Sequence, residues 1–310
     1  MNAPSLYQRN FLLHLQERSG YDRPVLLKEI AREQPSRSQL DQLHNEYAVT
    51  RQLAGVAGVR RALAKEGTES RPVLVLEYIQ GHSLAELIRS ASLDLAEKLR
   101  LALNLTRSLG HIHERKVTHK DVSSGNILIA DTSSPGSQDG VYLIDFGLAS
   151  TTGEDRPSRL APDDSLVGTL AYVSPEQTGR MNRRVDFRTD LYSLGVCLYE
   201  LFTSQLPFDG GDALEMIHAH IARRPEPPRQ IDADVPGPVS DIILKLLAKS
   251  AEDRYQTAAG LAADLQRCLD QWRSESRIGA LELGADDFTG RLQIPQKLYG
   301  REGEIARLKT

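Results

Sequence analysis

Apolar positions along this chain change period several times, and each change marks an element. Val25-Leu26-Leu27-Lys28 is a short run that predicts a strand ending on a lysine, and Pro72-Val73-Leu74-Val75-Leu76 predicts another. Between them Leu40, Leu43, Tyr47 and Leu53 recur at helical spacing over 38–53, with Glu46 on the same face. Ser83 and Glu86 form a capping-box pattern that starts a helix, and a long amphipathic helix begins near Leu93. Short apolar segments follow at Val117, at 127–129 and at 141–144. The Ser- and Gly-rich stretch 131–140 between the last two predicts a hairpin connection. From Arg188 to Phe202 the chain is mostly apolar, as in a buried helix, and 257–272 predicts a last helix.

Two polar runs sit at the ends of those short strands. His119-Lys120-Asp121-Val122-Ser123-Ser124-Gly125-Asn126 places a carboxylate and a carboxamide five residues apart, and Asp145-Phe146-Gly147 follows 141–144 directly. Phosphoryl transfer asks a protein for a base that holds the attacking hydroxyl and for oxygen ligands that hold a divalent metal on the phosphates. These residue types supply both. Asp and Asn in a polar loop also cap turns, which is their commoner role. Glu46, a carboxylate on a core-facing stripe, is costly unless paired, and Lys28 is the obvious cation. Two solvated surface charges are the plainer alternative.

Taken together, the runs resemble those of protein kinases. The resemblance implies an α+β, two-lobed protein-kinase-like fold with a small, mostly β lobe over 1–76 and a hinge over 77–81. A large, mostly α lobe would cover 82–272. It casts Asp121 as the catalytic-loop aspartate, and Asn126 and Asp145 as the metal ligands. Lys28 would hold the phosphates, positioned by Glu46. Backbone groups near Glu77 and Ile79 would meet the adenine edge, with Leu76 gating the space behind it and Leu128 completing the nucleotide pocket. Ser174-Pro175-Glu176 resembles the substrate-docking end of an activation segment. Asp190 resembles the aspartate that braces the catalytic loop, and Arg254 the arginine that pairs with the Glu176 position.

The implied activity is ATP-dependent phosphorylation of a protein serine or threonine, with ATP and Mg2+ as cofactors. A pseudokinase acting as a regulatory module is a second reading. A small-molecule phosphotransferase is a third, which Glu176, Asp190 and Arg254 disfavour because they build a protein-docking segment. The stretch 167–190 is also similar to the amino-terminal kinase-like domain of large bacterial signalling proteins that carry an ATPase module, a GAF domain and a histidine kinase.

The chain departs from the kinase pattern in three places. Gly20 is the only glycine before Lys28, so the glycine-rich loop and the first strand are expected to be missing, with 5–9 already the second strand. Ser123 stands where serine/threonine kinases place a phosphate-contacting lysine, and serine cannot neutralise charge. Lys120 replaces the usual arginine and offers a point charge instead of a bidentate fork. Control by activation-loop phosphorylation is correspondingly disfavoured, although Thr151, Thr152, Ser158, Ser165 and Thr169 offer hydroxyls.

Composition narrows the partners. Thirty-eight basic against forty-two acidic residues give a formal charge of −4, which suggests neither nucleic-acid binding nor an electrostatic membrane anchor. The two cysteines, Cys197 and Cys268, read as reduced thiols, and no apolar run reaches the roughly 18 residues of a membrane span. A cytoplasmic location is expected. His111, His113 and His119 cluster without a carboxylate or thiol at recognisable metal-ligand spacing, which favours structural roles. Residues 273–293 read as a polar linker, and 294–310 resemble the start of a truncated AAA-like ATPase module, so covalently attached signalling domains are expected.

Overall fold

The computed structural model describes residues 6–8, 11–90, 93–131, 140–151, 170–181 and 183–288. A five-stranded antiparallel sheet begins the fold, formed by β1 (Leu6–Gln8), β2 (Phe11–Gln16), β3 (Val25–Ile30), β4 (Ala62–Thr68) and β5 (Arg71–Glu77) in the order β1-β2-β3-β5-β4. In register, Lys28 faces Leu13 of β2 on one side and Leu74 of β5 on the other. Helix α1 (Arg37–Gln52) enters between β3 and β4, and Ser36 and Gln39 form a reciprocal capping box at its start. Leu43 of α1 is fully buried against Phe11, Ala62, Leu74 and Leu76 of the sheet.

This sheet corrects one expectation. Leu6–Gln8 is a first strand in its own right, paired with Phe11–Gln16, which in turn pairs with Val25–Ile30. Gln8 lies opposite Phe11, so only Arg9 and Asn10 separate the paired ends, and neither is a glycine. Residues 11–16 alternate weakly between apolar and polar, which hid the second strand from a reading by periodicity.

Beyond β5 the chain becomes mostly helical. A short sheet of β6 (Gly81–Ser83), β8 (Ile127–Ala130) and β9 (Val141–Leu143) lies next to the hinge, and β7 (Val117–Thr118) pairs with β10 (Ser150–Thr151). The helices are α2 (Leu84–Ser90), α3 (Leu95–Glu114), α4 (Arg188–Thr203), α5 (Ala213–Ala222), α6 (Pro228–Ile231), α7 (Gly237–Leu246) and α8 (Ala258–Glu275). Every residue of α4 except Glu200 is buried, in keeping with its apolar composition. Gly195 lets α7 approach closely, since a Cβ there would lie 2.7 Å from the Leu246 side chain. The lobes are stitched where Gly58 and Arg60 exchange backbone hydrogen bonds with Leu143 at 2.8 and 3.3 Å. Gly58 is required there by its φ of 78° and by Ser108, whose side chain would clash with any Cβ.

The expected linker at 273–293 is also corrected over its described part, 273–288. Helix α8 continues to Glu275, and the following segment folds back on the large lobe. Ile278 is buried, Asp287 accepts from the Gln256 N–H and the Thr257 hydroxyl at 2.6 and 2.7 Å, and Gly284 N–H donates to Asp264 at 2.8 Å. Its polar residues act as helix-cap partners, which composition alone does not distinguish from solvation. The expected module at 294–310 lies outside the described residues.

His220 of α5 gives the large lobe a measurable pH dependence. Its ring is fully buried, bonded to the Tyr192 hydroxyl at 3.0 Å and edge-on to Phe208. Burial, aided by the nearby Lys249, pushes its pKa from the ordinary 6.5 down to about 3. Between those values the unfolded chain binds a proton that the folded protein refuses, so stability falls as pH drops through the window. The expected slope is about 1.4 kcal/mol per pH unit for one proton. Urea denaturation between about pH 4.5 and 6.5 should show a His220→Phe variant with a slope shallower by one proton; identical slopes would place the ring in water.

Candidate functional site

Lys28 ends inside the sheet, where an ammonium needs partners. It finds two: Glu46 Oε2 of α1 at 2.6 Å and Asp145 Oδ1, two residues after β9, at 3.0 Å. Lys28 and Glu46 are almost wholly buried, and the Phe11 ring covers the ammonium at 4.6 Å from its centroid. Burial alone would lower the Lys28 pKa, but Asp145 and then Glu46 outweigh it and hold the group charged, above its ordinary value. Such a pair is weak evidence for net stability. Breaking it is a different matter, because an unpaired charge would then remain in the interior.

The polar runs come together below. Asn126 donates through Nδ2 to both the backbone oxygen and Oδ2 of Asp121, each at 2.9 Å, so the carboxamide orients the carboxylate five residues before it. His119 is fully buried, its ring tilted against that of Phe146 with centroids 4.6 Å apart. Its Nε2 meets the Ile144 carbonyl at 3.1 Å and its Nδ1 accepts the Asp121 N–H at 3.3 Å, which together select the Nε2–H tautomer. Asp145 and Lys120 adopt φ of 66° and 64°, left-handed values that cost a non-glycine residue roughly 1 kcal/mol or more. Surrounding bonds hold Lys120 there: its N–H and that of His119 donate to Asp190 at 2.8 Å each, while Gln177 donates to its carbonyl at 2.8 Å.

Asp190 is therefore the brace that its position implied, and Arg254 grips Glu176 bidentately at 2.7 and 2.8 Å. The remaining candidates divide. Ile79 and Leu128 join one small apolar cluster with Tyr142 and Ile144, immediately before Asp145, whereas Leu76 packs in the small-lobe core. The Glu77 N–H donates to the Arg61 carbonyl at 2.9 Å and its carboxylate pairs with the Arg61 side chain. Of the Glu77 backbone, it is thus the carbonyl that suits an adenine amino group. Thr152, Ser158, Ser165, Gly168 and Thr169 lie outside the described residues.

Two residues, Asn45 and Arg60, escaped the sequence reading, and for His113, read there as structural, the partner did. Asn45 of α1 donates to the carbonyls of Phe146, Gly147 and Ala149 at 3.2, 3.0 and 2.8 Å, tying the helix that carries Glu46 to the segment that carries Asp145. His113 bonds Asp190 Oδ2 at 2.9 Å. Arg60, almost fully buried, approaches Glu46 Oε1 at 3.8 Å. A polar residue adjoining Glu46 on α1 was the one available signal, and it pointed to Asn45 alone.

Oxygen-only ligands on Asn126 and Asp145 suit Mg2+, which is usually held by one or two protein groups together with phosphate oxygens and water. Among the described residues no cluster of three or more His, Cys, Asp or Glu could form an all-protein cage. With its oriented carboxylate, its buried lysine and its Glu176–Arg254 ion pair, the arrangement has the two-lobed architecture of a protein kinase. The family model described as protein kinase domain matches residues 16–265, and the chain belongs to that family. It is 32% identical over 202 residues to a probable serine/threonine-protein kinase of Streptomyces coelicolor, covering 65% of this chain and 29% of that protein. Serine/threonine-protein kinase PknB of Mycolicibacterium smegmatis is 32% identical over 197 residues, 63% of this chain and 30% of the relative. A probable serine/threonine-protein kinase of Corynebacterium efficiens is 31% identical over 234 residues, 74% of this chain and 34% of the relative. The matches thus span about a third or less of the relatives' own length.

The ion pair can be measured directly. Lys28→Met, which leaves both carboxylates without their close cation, should destabilise the fold by about 3–5 kcal/mol, and a Lys28→Met/Glu46→Ala double-mutant cycle should show coupling well beyond about 0.5 kcal/mol. Chemical denaturation of the four proteins reads both quantities, and strict additivity would mean that the side chains do not meet.

Proposed function

We propose that this domain transfers the terminal phosphoryl group of ATP to a serine or threonine hydroxyl of a protein. The observation that carries the reading is the Lys28–Glu46–Asp145 pairing at 2.6 and 3.0 Å, which gathers the phosphate-binding cation and a metal-ligating carboxylate at one point. Asp121, held by Asn126, would accept the hydroxyl proton and orient the oxygen in line with the phosphorus. Lys28 would neutralise phosphate charge, with Glu46 fixing its position. Asn126 and Asp145 would hold Mg2+, which supplies charge stabilisation on the phosphate oxygens when bound. Ile79 and Leu128 would flank the adenine, and the Glu77 carbonyl would meet its amino edge.

A protein substrate is favoured by the Glu176–Arg254 pair, which fixes the end of the segment on which a peptide would lie. Reliance on ATP supports a cytoplasmic location, and no helix among the described residues is long and apolar enough to cross a membrane. The resemblance of 294–302 to the entrance of an AAA-like module supports covalent attachment to further signalling domains.

Asp121→Asn should abolish transfer while leaving nucleotide affinity within about twofold, because the base acts in the transition state. Asp145→Ala should instead remove the magnesium dependence of ATP binding. Radiolabel transfer to a generic protein substrate, paired with calorimetric ATP titrations with and without Mg2+, separates the two. Equal transfer by wild type and Asp121→Asn would remove the mechanism.

A further inference from the structure

One turn of α1 lies against the turn that follows Asp145. The Ala149 N–H closes that turn on the Phe146 carbonyl at 3.1 Å, and the carbonyls of Phe146, Gly147 and Ala149 converge on Asn45 Nδ2 at 3.2, 3.0 and 2.8 Å. Oxygens that face one point repel each other unless a donor stands between them, and a carboxamide has only two N–H groups, so three acceptors share them. Gly147 admits the helix at this range: a Cβ there would lie 3.3 Å from the Gln42 Cβ and 3.4 Å from Asp145 Oδ1. The next residue of α1, Glu46, holds the same Lys28 ammonium that Asp145 holds. Neighbouring residues of one helix therefore reach the Asp145 segment by two routes, one through Lys28 and one through the backbone.

We infer that Asn45 is a positioning residue for Asp145, fixing the backbone that aims its carboxylate at the metal. The inference rests on the kinase reading above, in which Asp145 is a metal ligand. Asp145 sits at a φ of 66°, a left-handed value that persists only where the surroundings impose it. Lys28 grips the carboxylate alone and does not set the peptide planes on which that angle depends. Those planes are set downstream, by the Phe146 ring against His119 and by the carbonyls that Asn45 gathers. Without the carboxamide, half-buried oxygens lose their donor, and rotation of the peptides at Phe146 and Gly147 towards new partners releases the strained angle. The Asp145 carboxylate then swings off the point where metal and phosphates meet, while the Lys28–Glu46 pair stays in place.

The test compares two ligands on the full chain, because Mg-ATP needs the metal ligand and adenosine does not. Calorimetry should show Asn45→Ala weakening Mg-ATP at least tenfold, about 1.4 kcal/mol, with adenosine affinity changed less than twofold. Asn45→Asp, close to asparagine in shape, should lose at least as much, since it sets a carboxylate against three carbonyl oxygens. In an Asp145→Ala background, Asn45→Ala should change ATP affinity less than twofold, because the carboxylate it positions is gone. Equal loss of both ligands, no loss of either, or a full Asn45→Ala effect in the Asp145→Ala background would overturn the inference, the last by showing that Asn45 acts through α1 and Lys28 instead. Should Asn45→Ala not fold, Asn45→Leu, which keeps the volume without the donors, is read by the same ratio of affinities. A wild type that binds Mg-ATP but transfers no phosphate overturns the kinase reading and leaves the Asn45 result standing, whereas a Mg-ATP affinity indifferent to Asp145→Ala overturns both.

Discussion

An ammonium buried between two lobes must be paired, and Lys28 is paired twice. Its partners come from separate stretches of chain: Glu46 from α1 and Asp145 from the turn after β9. Desolvating three charges costs several kcal/mol each unless the geometry returns that energy, so the sheet, the helix and the large-lobe hairpin are constrained to one mutual arrangement. Asn45 reinforces it with neutral hydrogen bonds one residue from Glu46, and the backbone bonds of Gly58 and Arg60 to Leu143 reinforce it from the other side. The same charges that specify how the lobes meet are those that the proposed chemistry would set against phosphates and a metal. The architecture and the proposed chemistry therefore draw on one set of interactions.

A second constraint governs the catalytic loop. Lys120 is held in a left-handed conformation by donors and acceptors aimed at its backbone, from Asp190 on one side and Gln177 on the other. Asp190 is fully buried at the start of α4, where three N–H donors, including the ring of His113, satisfy its charge. The burial of α4 thus has a mechanical meaning: a helix packed on nearly all sides cannot drift, and neither can the carboxylate that sets the loop. Gln177, one residue after Glu176, links that loop to the segment pinned by Arg254, so the two segments share a support. Against this background the structural role of Lys120 is carried by its backbone, so lysine in place of arginine leaves that role intact.

The residues that meet in the candidate site were legible because most of them fall in two contiguous runs whose residue types have few other uses together. Asp121 and Asn126 meet through a local hydrogen bond, and Lys28 and Glu46 were matched by the rule that a carboxylate on an apolar stripe needs a cation. Arg60 carried no such mark, because an arginine beside another arginine at a strand entrance reads as a surface charge. Its burial follows from the packing of β4 against α1, a contact between segments with no local signature. Likewise the strand Phe11–Gln16 alternates too weakly for periodicity to mark it, and the polar residues after α8 read as solvated although Asp287 holds Thr257, the residue that caps the helix.

What the sequence determined by itself was therefore a good part of the element order, the two polar runs and the family they resemble, since hydrophobic period, capping pattern and spacing are properties of neighbours along the chain. Tertiary structure alone decided which face Arg60 presents, that Asn45 ties α1 to the Phe146 segment, and that the stretch after α8 belongs to the large lobe. Each of these depends on burial, and burial is set by what packs against a residue from distant parts of the chain. A charge in water and a charge in the interior are the same letter in the sequence, but they differ by several kcal/mol in the fold.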